Sequence, residues 1–311
     1  MTKIPVLYIT FARPEYARRT FDAIKLAKPE ILYFYSNKAR NNYPIEDEKN
    51  KEIRNYITEI DWPCNLKTFF RDEYVDVYTS LFSAIDWVFE KNEKAIIIEE
   101  DCLCSKTFFS FCEELLDRYE NDESIWMISG DNYHDNKIFS DKSYFFSKNM
   151  HIYGWASWKS RWEKTLRKGQ NWPTIKQENL LANYFPNKNE FNFQKNRLEI
   201  FIQNIDKCPA WDYIFYITMI ENISYSIVPS KNLVENIGRN GIHSNYSIWG
   251  HHEINKDSKE LQNIKHPIFV ISNNNFDSFH FKNYYLKQNN FLYRIISKMY
   301  RILNVLFTRY K

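Results

Sequence analysis

Three carboxylates arrive together at Glu99-Glu100-Asp101, directly after the uncharged run Ala95-Ile96-Ile97-Ile98. Acids this close repel one another. Solvation relieves that repulsion, and so does a divalent cation, for which hard oxygen ligands favour Mg2+ or Mn2+. A solvated acidic turn is the plainer reading of the same residues. A second candidate is Asp212, behind Trp211 in Cys208-Pro209-Ala210-Trp211-Asp212-Tyr213 and ahead of the apolar run Ile214–Ile220. Partial burial raises a carboxyl pKa, the direction that general-base work near neutral pH favours; an aspartate at a helix start also serves as an N-cap. Arg13, Asn37 and Arg71 each follow an apolar run, where a polar side chain meets a base or phosphate or simply faces water. In His151–Trp158, Gly154 lets the backbone approach a ligand while Trp155 offers a flat apolar face; a buried aromatic seam would use the same residues. Asn232–His243 holds two glycines in a polar setting and reads as a mobile loop, with His243 able to touch a phosphate. His251 and His252 are adjacent, cannot share a helical face, and are not read as ligands.

Positioning these groups needs a sheet. Ile4–Phe11, Ile31–Tyr35, Leu66–Phe70, the run before the acids, and Ser124–Ser129 read as strands, the first and the fourth of them buried. Between them lie helical patterns: Pro14 opens one carrying Tyr16, Phe21 and Ile24, and Tyr78, Leu81, Phe82, Ile85, Val88 and Phe89 mark another. Ser105 is placed to cap the helix that carries Phe108, Cys112, Leu115 and Tyr119. Strand alternating with helix predicts a largely parallel α/β sheet, with Arg13, Asn37, Arg71 and the acid triplet on one edge. Beyond Gly130 the alternation stops. Tyr144–Phe146 and Ser226–Pro229 read as short strands, Asn171–Asn196 with Pro173 and Pro186 as a loop-rich insertion, and helical spacing resumes over Leu198–Ile205.

The totals narrow the chemistry. Aromatic residues make up 18%, which suits stacking on sugars and bases as well as filling cores. Six glycines argue against a glycine-rich phosphate cradle. Five cysteines, an odd number with no Cys-x-x-Cys pair, point to reduced thiols in the cytoplasm. The opening residues do not read as a signal peptide, and no run is apolar enough to span a bilayer. Residues 281–311 hold seven Lys or Arg and no acid, so the rest of the chain is net acidic and is no nucleic-acid surface. In that tail Phe291, Leu292, Ile295, Ile296, Met299, Ile302, Leu303 and Leu306 alternate with Arg294, Lys298 and Arg301. Such a basic amphipathic helix is expected to lie on the inner leaflet of the cell membrane, or else to dock its apolar stripe on the body.

Five blocks together carry a resemblance. Ile96–Asp101 is similar to the strand-plus-acids motif of metal-dependent glycosyltransferases of the GT-A fold, nearest the N-acetylglucosaminyltransferase I type and its bacterial relatives. Arg13, Ile152-Tyr153-Gly154-Trp155, Trp211-Asp212 and Asn236–Ser244 match further blocks in the same order, over about residues 4–245. The middle acid is Glu100, where the family commonly has Asp. The resemblance implies a GT-A (Rossmann-like) fold with residues 1–130 as the nucleotide-sugar half, 131–280 as the acceptor and catalytic half, and 281–311 as the tail. It implies Asp101 as the ligand of Mn2+ or Mg2+ and Asp212 as the catalytic base. Arg13, Asn37, Arg71, Glu99, Glu100, Trp155, Trp211 and His243 are expected around a UDP-sugar donor. The expected reaction is an inverting transfer to a glycan or lipid-linked glycan of a bacterial surface polysaccharide, lipopolysaccharide or capsule. The competing functions are a sugar-1-phosphate nucleotidyltransferase, which would want glycine in Thr10-Phe11-Ala12-Arg13-Pro14, and a non-catalytic, membrane-docked carbohydrate-binding or scaffold protein.

Overall fold

A computed structural model of the chain describes residues 1–132, 137–165, 170–238 and 258–286. His243 and the basic tail beyond Leu286 lie outside them.

Eight strands form one sheet. In chain order they are β1 (Val6–Thr10), β2 (Ile31–Ser36), β3 (Asn65–Phe70), β4 (Lys94–Glu99), β6 (Ile125–Ser129), β7 (Tyr144–Ser147), β8 (Trp155–Trp158) and β9 (Tyr225–Pro229). Their spatial order is β3-β2-β1-β4-β8-β6-β9-β7. β1 pairs in parallel with β2 and β4, and β2 with β3; β8 and β7 run against their neighbours. The sheet is therefore mostly parallel and draws strands from both sides of residue 130. A separate antiparallel ribbon joins β5 (Cys102–Cys104) to β10 (Val234–Asn236).

Helices cover both faces, which is why the strands read as unbroken apolar runs. Along each strand alternate side chains enter different cores. Val6, Tyr8, Leu32, Phe34, Ile96 and Ile98 pack with α1 (Pro14–Ala27) and α4 (Lys106–Arg118). Leu7, Ile9, Tyr33, Tyr35 and Ile97 pack with α3 (Val77–Lys91) and, beyond residue 158, with α5 (Lys159–Glu163), α6 (Trp172–Gln177), α7 (Leu180–Tyr184), α8 (Lys188–Gln203) and α9 (Trp211–Glu221). Further described helices are α2 (Pro44–Arg54), which packs Ile53 on the first core and runs into a 3-10 turn over Asn55–Glu59, and α10 (Asn274–His280), which runs into a π-helical turn over Phe281–Tyr285.

Several local expectations need correction. The polar stretch Asn171–Asn196 is helical, not loop-rich: α6, α7 and most of α8 lie in it, fastened to the core by Trp172, Ile175, Leu181 and Tyr184. Pro173 opens α6, a position where its missing N–H costs nothing. The aromatic segment after Gly154 is a strand, β8, inserted between β4 and β6. Ser105 occupies the N-cap of α4, yet its side chain makes no capping bond. Glu260 does that work, accepting from the Lys106 and Thr107 amides at 3.1 and 2.9 Å.

Candidate functional site

In the order β3-β2-β1-β4 the chain leaves β1 toward β2 on one side and later returns to β4 on the other. That reversal opens a crevice between the carboxyl ends of β1 and β4, where ligands of open α/β sheets bind. Arg13 follows β1, Glu99 ends β4 and Glu100 and Asp101 follow it, so all lie at that crevice. Asn37 and Arg71 follow β2 and β3 on the same edge.

Glu100 is the anchor of this corner. Its side chain is buried, one oxygen accepting from Arg13 Nε at 2.6 Å and the other from the Phe11 amide at 2.8 Å. The same guanidinium reaches Asp101 Oδ2 at 3.0 Å. Burial pushes the Glu100 carboxyl up, while Arg13 and the Phe11 amide hold it down; the net direction is up. Burial works against the Arg13 charge, but Asp101 and Glu100 outweigh it and the guanidinium is held more firmly charged than usual. Glu99, half-buried at the end of β4, is pushed up to about 8, first by burial, then by Asp101, with Asp212 and Glu100 adding and Arg13 opposing. One arginine does not offset three acids.

The ribbon β5–β10 shapes the approach to Asp101. The Ile237 amide donates to the Asp101 carbonyl at 2.8 Å, which brings Gly238 against the Asp101 side chain. A Cβ at Gly238 would overlap Asp101 Oδ2 and lie 2.8 Å from Cγ. Behind it Gly130, Gly154 and Val234 lock together: the Gly130 amide donates to the Gly154 carbonyl at 2.7 Å, and the Leu233 and Val234 amides to the Gly130 carbonyl at 2.9 and 3.1 Å. Gly154 has φ +63°, so it is needed there for its backbone, with Val234 against it.

Asp212 reaches the crevice through two tryptophans. Ile97 of β4 pairs with Trp155 of β8, and the Trp155 ring stacks on Trp211 at 4.8 Å and 16°. That stack ties the start of α9 to the strand beside β4, and Glu99 feels the Asp212 charge. Both rings are in the core, Trp155 1% and Trp211 3% exposed, so neither offers a face to a ligand in this structure; they position the site from behind. The N-cap of α9 is Ala210, and Asp212 stands in its first turn. Burial pushes the Asp212 carboxyl up, against Arg197 and the adjacent amides.

Asn37 and Arg71 have internal partners. Asn37 Nδ2 donates to the Val75 carbonyl at 2.8 Å and its Oδ1 accepts the Lys38 amide at 2.9 Å. Arg71 bonds the Tyr35 hydroxyl and Ser83 Oγ, each at 2.6 Å. Both brace the strand ends.

Three groups escaped the reading of the sequence. Arg54 on α2 spans the strand ends, donating to the Ser36, Asn37 and Arg71 carbonyls at 3.2, 3.2 and 2.8 Å. Arg197 on α8 lies over the rings of Tyr213, Tyr216 and Tyr285 at 4.8, 5.6 and 4.9 Å. Tyr78, at the start of α3, shares a hydrogen bond with Cys208 Sγ at 2.8 Å and senses Asp212. Each depends on contacts far apart in the chain, for which no local motif exists. Next to Tyr78 a cavity of about 400 Å³ separates α3 from the segment before α9, lined by Thr79, Ser83, Asp86, Ile205, Asp206 and Pro209.

The acids as they stand form no cluster of three or more His, Cys, Asp or Glu arranged to hold a metal among the described residues. All five cysteines are free, and no described helix is long and apolar enough to cross a membrane.

No family model matches the chain, and no curated protein matches its sequence. Among solved structures it is similar to a mannosyltransferase from Pyrobaculum calidifontis in complex with GDP-Man and Mn2+, with 12% identity and TM-score 0.35, over 52% of this chain and 46% of that one. It is similar to UDP-glucose pyrophosphorylase complexed with UDP-glucose, at 12% identity and TM-score 0.31, over 54% and 82% of the two chains. It is also similar to 4-diphosphocytidyl-2C-methyl-D-erythritol synthase from Anaerococcus prevotii, at 11% and 0.31, over 51% and 72%. The alignment thus spans less than half of the mannosyltransferase.

Proposed function

We propose that this chain is a metal-dependent, inverting glycosyltransferase that moves a sugar from a nucleotide-diphosphate donor, a UDP-sugar, to a glycan or lipid-linked glycan of a bacterial surface polysaccharide. The observation that supports this reading is the Trp155–Trp211 stack, because it ties the start of α9, with half-buried Asp212, to β8 beside β4, and Glu99 at the end of β4 feels the Asp212 charge. A base on one side of a crevice and a charged sheet edge on the other is the arrangement that a single in-line displacement requires.

The donor lies in the β1–β4 crevice. Arg13 is held by buried Glu100 through Nε, which leaves its contact with Asp101 free to exchange for a phosphate. Asp101, with Glu99 beside it, would hold Mn2+ or Mg2+. The donor atoms are carboxylate oxygens, glycine at 238 is what lets the loop pack against Asp101 Oδ2 without a clash, and the mutual repulsion of the acids favours a cation. Sites of this type take one or two carboxylates and complete their shell with water and phosphate. Bound there, the ion offsets the charge that develops on the diphosphate as it leaves. Asp212 accepts the proton of an acceptor hydroxyl, whose oxygen attacks the anomeric carbon from the face opposite the diphosphate. The acceptor enters beside α3, where the hydroxyls of Thr79 and Ser83 and the carboxylates of Asp86 and Asp206 suit sugar hydroxyls. The turn after β1 has no glycine, which weighs against nucleotidyl transfer.

A panel of nucleotide sugars, with and without Mn2+, tests the reading by donor hydrolysis and by thermal shift. Asp212→Asn is expected to lose roughly 10²- to 10⁴-fold in turnover while keeping the metal-dependent shift by the nucleoside diphosphate. Turnover at the wild-type rate in that variant would remove the base assignment. A wild-type protein with no shift at all would point to the scaffold reading.

A further inference from the structure

The outer edge of the sheet carries a feature unrelated to the crevice. Residues 265–273 run beside β7, the last strand, and are fastened at both ends. At one end the Ser143 amide donates to the Lys265 carbonyl at 2.9 Å, the Lys265 amide to Ser143 Oγ at 2.8 Å, and His266 Nδ1 shares a hydrogen bond with the Tyr144 hydroxyl at 2.9 Å. At the other the Asn273 amide donates to the Phe146 carbonyl at 2.7 Å and its side chain to the Phe139 carbonyl at 2.8 Å. Between the fastenings Val270 turns inward and packs on the core. Its neighbours face water: Ile268, Phe269 and Ile271 are 84%, 72% and 68% exposed. Ile138, next to Phe139 at the lower fastening, is 89% exposed.

A tethered segment that presents Ile, Phe and Ile outward is an apolar surface in need of a cover. The charges around it say which. Lys265 adjoins it on one side, exposed, and Lys137 on the other, its ammonium 4.3 Å from the Phe279 ring centre. The nearby acids have partners: Asp141 pairs with Lys142 at 2.9 Å, and Glu114 with His266 at 2.9 Å. α10 packs Phe276 against Phe139 and Phe145 beneath the segment and leads into residues 281–311, with seven basic residues and no acid. Apolar side chains flanked by cations fit the interface of an anionic bilayer, the rings and branched chains below the headgroups and the ammonium groups among them. We propose that Ile268, Phe269 and Ile271 insert into the interfacial layer of an anionic lipid membrane.

The test uses the full chain with vesicles of phosphatidylcholine alone and of phosphatidylcholine mixed with phosphatidylglycerol. Wild type is expected to sediment with the mixed vesicles, less so at high salt. The triple variant I268S/F269S/I271S is expected to partition at least about tenfold more weakly, with an unchanged melting temperature. In a separate variant, F269W, indole emission should move to the blue on mixed vesicles and be quenched by brominated lipid. The proposal is overturned if the triple variant partitions like wild type, if wild type sediments with neither vesicle, or if F269W emission stays unmoved while the protein sediments. It is also overturned if light scattering finds a wild-type dimer that the triple variant converts to monomer, since a second copy would then be the cover. None of these readouts involves donor turnover, so failure of the transferase reading would leave them intact.

Discussion

At Asp212 two opposed effects meet. Burial favours the protonated carboxyl, and the Arg197 guanidinium favours the charged one. Arg197 is placed to do so, because it lies over Tyr213 and Tyr216, the next residue and the one a turn further along α9. A base works only when ionised, so activity should rise with pH through the Asp212 pKa, which sits above that of an ordinary aspartate. Arg197→Met removes the charge that holds this pKa down. The acid limb of the pH–rate profile is then expected to move upward by about one pH unit, while Arg197→Lys should keep it near wild type. A profile in Arg197→Met that keeps its position and loses only height would mean that Arg197 serves packing alone. Arg13 and Glu100 show why residue types could be read and their pairing could not. A buried acid needs a partner, but nothing across a separation of 87 positions says that it is Arg13 rather than Arg71.

Among the elements, α4 shows how a cap can come from far along the chain. Its first two amides are met by Glu260, not by Ser105 at the N-cap. Burial pushes the Glu260 carboxyl up, but the bonds from Thr107 and Lys106 outweigh it and the net direction is down. A lowered carboxyl contributes stability above its unfolded pKa and loses it as pH falls through the folded value. Glu260→Ala should therefore cost about 1 kcal/mol near neutral pH, seen as a fall of roughly 2–4 °C in Tm, with the difference from wild type shrinking in acid. Ser105→Ala should be nearly silent. The same contrast marks what was legible at this scale. β1, β2 and β4 announce themselves because both faces are buried and the apolar runs are continuous. β5 and β10 are three residues each and borrow their stability from one another, so neither has a signal alone. α8 hides because only Glu190, Gln194, Leu198 and Phe201 are buried along it, two of them polar.

At the scale of the whole molecule, α10 is joined to the end of β7 through a buried carboxyl. Asp277 on α10 accepts from Ser147 Oγ at 2.6 Å and from Asn149 Nδ2 at 3.3 Å. Glu190 of α8 is close enough to feel it. Burial first, then Asp277, pushes the Glu190 carboxyl up to about 7, with Lys148 opposing. In the unfolded chain that group titrates near the ordinary glutamate value. An acid raised on folding contributes stability that is complete below the unfolded pKa and is lost as pH rises through the folded one. Denaturant melts should therefore show a decline between about pH 4.5 and pH 7 of up to about 3 kcal/mol, removed by Glu190→Gln. A flat profile would place the proton elsewhere.

β8 has a consequence for how the chain comes off the ribosome. It stands between β4 and β6 and yet is translated after both. Until residues 155–158 have emerged, the inner margin of β4 is an apolar strand with nothing beside it, and β6 has nowhere to join. A nascent chain in that condition can pair with its neighbours on a polysome, since bare strand margins template association. The aromatic tetrapeptide Trp155-Ala156-Ser157-Trp158 is thus a late keystone, and slow translation before it would lengthen the time during which a chaperone is needed.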